Sequence, residues 1–241
     1  MPPGLNETII ITGLTNQEFL ERYAKAGCIG LTGGDTPVDL AIRRAQRHLN
    51  QAKQWGTWSH SFLFEGQRAD GYQWVIESDL QFHRKHIQLG AQENRISKYF
   101  DNKLYSSMAV IDFGLDEEQI ADVVRAGLDL VANHERYSIR ELFGTLVAMR
   151  RPDWRASQNR LARERSVFCS AFVRRLFRKI RLDLAPGVDD KHTTPEDLAR
   201  TKIPHTTYVL QREDLRSRLK TVRTKVRDRV RSKLKKLRGR K

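Results

Sequence analysis

The sequence predicts an α+β fold. Well-capped helical patterns occupy both ends of the chain, while the middle is rich in aromatic and β-branched residues at strand spacing. No internal repeat breaks this arrangement into smaller units. With 241 residues, 39% of them hydrophobic and 30% charged, the chain can bury a substantial core.

The elements follow in order. "LTNQEFLERYAKAG" opens with a capping box from Thr15 to Glu18, presents Phe19, Leu20, Tyr23 and Ala24, and stops at Gly27. "CIGLTGGD" reads as a short strand with a Gly-rich turn. "TPVDLAIRRAQRHLNQAKQW" reads as a helix, with Thr36 as cap, Pro37 at its first position and Asp39 in its first turn. Its expected buried side is Val38, Ala41, Ile42, Ala45 and Leu49. "WSHSFLFEG" and "YQWVIESDLQF" flank the turn-like "RADG" and predict an antiparallel hairpin. "SSMAVIDFG" adds a strand. "LDEEQIADVVRAGLDLVANHERY" predicts a helix capped by Asp116, with Ile120, Val123, Val124, Leu128 and Val131 inward. "SIRELFGTLVAM" and the segment from Cys169 predict two more helices, and "HTTYVLQRE" a last strand.

In "FCSAFVRRLFRKI" the apolar residues Phe172, Val173, Leu176, Phe177 and Ile180 recur at helical spacing. Arg174, Arg175, Arg178 and Lys179 fall on the expected wet face. Cys169 occupies the first turn. One reading is a small buried hydrophobe. The other is a nucleophile, because a helix N-terminus favours the thiolate and offers N–H groups to an oxyanion. The other cysteine, Cys28, lies in the apolar, Gly-flanked "KAGCIGLTG" and is expected to pack. Two cysteines make no disulfide framework and fit a reducing compartment.

A nucleophilic thiol needs a base and an orienting group. Seven histidines are present. His48, His83, His86, His134, His192 and His205 lie in polar or loop-like stretches. His60 instead starts a strand, where alternation puts it on one face with Phe62 and Phe64. Glu77 interrupts the apolar run "WVIESDL" on the partner strand, where a carboxylate is costly unless paired. The hairpin brings the two near each other. A structural histidine and an outward-facing glutamate are the alternatives that spacing leaves open. A zinc site would draw on Cys169, His60, His83 and His86, but no CxxC or HExxH pair is present, so no metal and no cofactor are expected.

Three fragments in this order, "SHSFLF", "VIES" and "FCSAFVRRLF", resemble the circularly permuted papain-like cysteine hydrolases. These form the YiiX-like branch of the NlpC-type superfamily, related to the lecithin–retinol acyltransferase group. The matching positions are Ser59-His60, Val75-Ile76-Glu77 and Cys169-Ser170. Tyr137 at the end of the connecting helix and "TTPEDLA" at 193–199 also look like that family, and the resemblance spans about residues 29–210. It implies a papain-like antiparallel sheet packed against helices, with Cys169 as nucleophile, His60 as general base and Glu77 as orienter. The family's Gly-Asp would be Gly34-Asp35, but "GGDTPVDL" runs into a helix rather than an apolar strand, so no catalytic role is carried onto Asp35. The implied reaction is hydrolysis or acyl transfer at an amide or ester bond of a peptide, a cell-wall peptide or an acyl lipid. The alternative is a catalytically silent binding module.

The net charge of +15 is concentrated at one end. Arg212–Lys241 holds 15 of the 44 Lys/Arg and 3 of the 29 Asp/Glu, leaving residues 1–211 nearly balanced at 29 basic and 26 acidic groups. We therefore expect a hydrolase domain over 1–211 and a basic amphipathic helix over 212–241. The tail's Leu215, Leu219, Val222, Val226, Val230, Leu234 and Leu237 form one narrow stripe on an otherwise cationic helix. It suits an anionic membrane surface, a nucleic acid or a protein face. The absence of aromatics makes nucleic acid the weaker match. No apolar run spans a bilayer and the start lacks a basic, apolar leader, so a cytoplasmic location is expected, with peripheral membrane contact through the tail as one reading.

Overall fold

The computed structural model describes residues 6–49, 54–83, 86–133 and 169–212. Their centre is one seven-stranded sheet: β1 (Glu7–Ile11), β2 (Ile29–Gly34), β3 (His60–Gln67), β4 (Gln73–His83), β5 (His86–Arg95), β6 (Tyr105–Asp112) and β7 (Thr206–Leu210), in spatial order β1-β7-β6-β2-β3-β4-β5. Only β1 and β7 run parallel; every other neighbouring pair is antiparallel. The helices are α1 (Asn16–Tyr23), α2 (Pro37–Ala45), α3 (Glu117–Ala132), α4 (Cys169–Lys179) and α5 (Pro195–Ala199), with short 3₁₀ turns at Gln46–Leu49, Ile96–Tyr99 and Asp190–His192. The fold is thus α+β.

Both faces of the sheet are covered, which explains why its strands are apolar at consecutive positions. One face carries Phe62, Phe64, Val75, Met108 and Val110 against Phe19 and Leu20 of α1 and Tyr99. The other carries Ile29, Leu31, Leu63, Ile76, Ala109 and Ile111 against Val123 of α3 and Phe172, Val173, Leu176 and Phe177 of α4. Four helices start as their sequence signals require, with complete capping boxes at Thr15/Glu18, Thr36/Asp39, Asp116/Gln119 and Thr194/Asp197.

The structure departs from the sequence reading in several places. β1 and β5 were not expected. β1 is a five-residue run that pairs only with the distant β7, and β5 is a polar edge strand whose "QENR" has no apolar alternation. The glycines of "LTGG" lie inside β2, which is buried throughout, rather than in a turn. The second helix ends at Ala45 and tightens into a 3₁₀ turn. Its expected inward residue Val38 is 39% exposed, and of the helix only Ala45 is fully buried.

Arg174 is the clearest correction. It was placed on the wet face of α4 but is 1% exposed. The chain after α4 folds back over it, so that Arg174 donates to both oxygens of Asp183, to the Val188 carbonyl and to Thr193 Oγ1, and pairs with Asp190. A guanidinium can be buried when its fork of donors is satisfied in this way. The "SIRELFGTLVAM" helix, Tyr137 and the amphipathic tail beyond Arg212 lie outside the described residues.

Gly30 shows how tightly the sheet is built around the site described below. The Phe62 ring lies over it, and an added Cβ would meet that ring at 2.2 Å. Phe62 stacks in turn on Tyr99, with centroids 4.2 Å apart at 11°. Gly30→Ala is expected to cost ~1–3 kcal/mol through overpacking, read as a lowered urea midpoint at unchanged slope.

Candidate active site

His60 is the first residue of β3, paired with Thr32 of β2. Its backbone position is fixed by Ser59, whose N–H donates to the Thr32 carbonyl at 2.8 Å and whose Oγ accepts from the Gly34 N–H at 3.1 Å. Alternation sends the imidazole to the face of Phe62, where it keeps 15% side-chain exposure. Glu77 sits on β4. The β3–β4 ladder runs from Gln67↔Gln73 to Leu63↔Ile76. Continued, that register sets Glu77 opposite Phe62 and diagonal to His60.

The Glu77 carboxylate is 0% exposed and takes four donors. His60 Nε2 lies 2.5 Å from Oε2, which also accepts from the Tyr99 hydroxyl. Asn94 Nδ2 and Lys98 Nζ donate to Oε1 at 2.7 and 2.6 Å. Burial alone would raise its pKa. The hydrogen bond and charge of His60, reinforced by Lys98, outweigh burial and hold it down at about 2. Burial and the nearby Glu77 and Asp79 carboxylates push the Tyr99 phenol well above its usual value, so it stays a donor.

Cys169 begins α4 on the far side of the sheet, and the helix reaches the start of β3 because its stripe packs on Leu63 and Ile76. Ser61 Oγ donates to Ser170 Oγ at 3.3 Å, fastening the helix end to the strand. The Cys169 sulfur lies 3.7 Å from the Ser170 hydroxyl and within electrostatic reach of the His60 ring and the Ser61 backbone N–H. Since Nε2 of His60 faces Glu77, Nδ1 is the nitrogen left for the sulfur. Cys169 is only partly buried. Burial would raise the thiol pKa, but the charge and hydrogen bond of His60 prevail and lower it. The His60 pKa moves the other way. Burial would lower it, yet Cys169 and Glu77 together raise it well above the usual imidazole value. These directions describe a thiolate–imidazolium pair backed by a carboxylate.

The structure therefore brings Cys169, His60 and Glu77 together. Cys28 is apart from them, buried in the α1-side cluster, where desolvation raises its thiol to about 12. Asp35 is at the exposed end of β2 and pairs with Arg43. The side chains of His83 and His86 lie outside the described residues. Sequence reasoning missed Asn94, Lys98, Tyr99 and Asp79. Their one signal was the buried carboxylate itself, which demands donors from somewhere.

No protein-family model and no curated protein matches this chain. Among solved structures, the fold is similar to the crystal structure of metalloprotein yiiX from Escherichia coli O157:H7. The TM-score is 0.50 at 10% identity, over 79% of this chain and 99% of that one. The chain has a YiiX-like fold.

Because that protein is described as a metalloprotein, the donor set here bears on whether a metal fits. His60, Glu77 and Asp79 offer ligand atoms within 4.8 Å of one another. Each Glu77 oxygen, however, already accepts two hydrogen bonds, and Lys98 Nζ sits 2.6 Å from both Glu77 Oε1 and Asp79 Oδ2. An ammonium ion holds the place a metal would need. The residues do not fit a metal.

Iodoacetamide is expected to modify Cys169 much faster than Cys28 at neutral pH, as resolved by mass spectrometry. A lowered thiol pKa keeps the thiolate present as pH falls below the usual thiol value of ~8.5, so the rate should persist into mildly acidic buffer. In His60→Ala the strongest group opposing burial is gone, so the thiol pKa rises and the profile moves upward. Incubation with EDTA should leave the wild-type rate unchanged.

Proposed function

We propose that the protein is a cysteine hydrolase or acyltransferase with a circularly permuted papain-like domain, cleaving an amide or ester bond of a peptide, a cell-wall peptide or an acyl lipid. The observation that carries this reading is the placing of the Cys169 sulfur beside His60, whose Nε2 is hydrogen-bonded at 2.5 Å to the buried Glu77 carboxylate. The YiiX-like fold supports it, and so does the lowered pKa of an accessible thiol at a helix start.

In this reading the Cys169 thiolate attacks the substrate carbonyl carbon, forming a C–S bond and an oxyanion. The backbone N–H of Cys169 is suited to receive that oxyanion. Collapse of the adduct breaks the bond to the leaving amine or alcohol, which takes the proton held by His60. The thioacyl enzyme remains. His60, again a base, then removes a proton from water or an acceptor hydroxyl. Attack on the thioester breaks the C–S bond, and the proton returns to the sulfur–imidazole pair. Glu77 holds the ring so that Nε2 stays protonated and Nδ1 faces the sulfur.

The test uses p-nitrophenyl acetate as an ester probe and a peptidyl aminomethylcoumarin as an amide probe. Turnover of either should be abolished in Cys169→Ala and fall by about 10²–10⁴ in His60→Ala. Quenched reactions should show an acyl group on the peptide bearing Cys169. Wild-type turnover in Cys169→Ala would overturn the proposal. Silence toward both probes, with Cys169 no more reactive than an ordinary exposed thiol, would favour a binding module instead.

A further inference from the structure

We infer that Lys98 is a positioning residue for this site: its ammonium is a built-in cation, seated between Glu77 and Asp79 where a divalent ion would otherwise be needed, and it keeps Glu77 charged so that Glu77 can hold His60. The inference rests on the cysteine–histidine reading above and adds to it the reason that no metal is required.

The 3₁₀ turn Ile96–Tyr99 follows directly on β5. Two buried side chains, Ile96 and Tyr99, anchor it, and Lys98 between them reaches Glu77 and Asp79 in the middle of β4. Its side chain is 23% exposed, and Nζ lies 2.6 Å from Glu77 Oε1 and 2.6 Å from Asp79 Oδ2. The ammonium also sits 5.3 Å from the Tyr99 ring centroid. A lysine head placed this evenly between two carboxylates, on a turn locked by its neighbours, is held in place and not merely exposed nearby.

The charge balance explains why it is needed. Glu77 and Asp79 project from the same face of β4, and ligand atoms from both lie within 4.8 Å of His60. A second carboxylate this close disfavours the charge of the buried Glu77, and a cation seated between them offsets that. The other groups facing Glu77 do not supply one independently of the reaction. Asn94 and Tyr99 are neutral donors, Tyr105 is a half-buried phenol from β6, and His60 changes charge as it works beside Cys169. Lys98 alone in this set bears a permanent charge. The two carboxylates raise its pKa despite burial, so it stays protonated across the working range. Without it, the buried Glu77 loses one of the groups that keep it ionised, and a neutral Glu77 no longer stabilises the imidazolium that accompanies the thiolate.

The experiment measures the rate of iodoacetamide modification at Cys169, resolved by mass spectrometry, from pH ~5 to ~9, a range that brackets the reference His and Cys values. The proteins compared are the full-length wild type, Lys98→Met, Lys98→Arg and the double variant Lys98→Met/Asp79→Asn. In Lys98→Met the acid limb should move up by about one pH unit, a roughly tenfold loss of rate on that limb. Lys98→Arg, which keeps a cation, should retain most of the wild-type profile. The double variant removes one charge of each sign and should return the limb toward its wild-type position. A purely structural lysine predicts the opposite, with the double variant more impaired than the single one. A Lys98→Met protein that unfolds while the double variant folds and reacts like wild type supports the same charge balance. A Lys98→Met profile superimposed on wild type overturns the inference while leaving the Cys169–His60 pair standing. A wild type with no fast-reacting Cys169 would overturn that pair itself.

Discussion

The structure depends on one buried charge. A carboxylate removed from water is among the most costly groups a protein can hold, and it persists only where donors fill its lone pairs. Glu77 meets that condition with four donors from three consecutive parts of the sheet: His60 at the start of β3, Asn94 on β5, and Lys98 and Tyr99 on the turn after β5. Satisfying it fixes register. A one-residue slip of β4 would turn Glu77 toward the opposite face, into the cluster around Leu63 and Phe172, where no such donors converge. The same condition reaches into the core, because Tyr99 is held by stacking on Phe62 and Phe62 is admitted by the missing side chain of Gly30. Packing, pairing and electrostatics here are one constraint.

The two cysteines show what that constraint does for chemistry. Cys28 is buried and Cys169 partly so, and burial pushes both thiols upward. Cys28 is buried in the apolar α1-side cluster, and burial, with the neighbouring Asp112 carboxylate, raises it to about 12. Cys169 meets an imidazole whose positive form is stabilised by Glu77, together with a backbone N–H and a hydroxyl, and its thiol falls instead. The sign of the shift follows from the surrounding groups and not from the residue type.

Much of this was legible in the sequence because the signals were local. Thr15, Thr36 and Asp116 announce helix starts through contacts three residues away, whereas the short helix after Thr194 lies in a stretch that reads as connection. "RADG" announces the β3–β4 hairpin, and a glutamate inside an apolar run announces a paired charge. What escaped depended on chain far away. β1 is a strand only because β7 lies beside it, nearly two hundred residues on. Arg174 is buried only because Asp183, Val188, Asp190 and Thr193 return to cover it. Lys98 and Tyr99 sit in "RISKYF", which reads as an ordinary polar connection until the turn after β5 carries it beneath Glu77. A residue's type predicted that it needed partners, and only the fold chose them.

The place where β3 and β4 stop pairing then becomes part of the chemistry. Phe64 directs its N–H toward β2, donating to the Cys28 carbonyl. By alternation Ser61 directs its own toward β4. The ladder between β3 and β4 ends at Leu63↔Ile76, so that N–H has no strand partner, and a buried amide without one is costly. The Cys169 sulfur supplies the acceptor. Extending the ladder by one more pair would take that donor away from the thiol. Ending it sooner would loosen the strand that carries His60. The hydroxyls of Ser61 and Ser170 link strand and helix at the same level, so the helix start cannot slide without disturbing both contacts. The reactive geometry is therefore set less by a loop than by the length of a strand pairing, and it inherits the rigidity of the sheet.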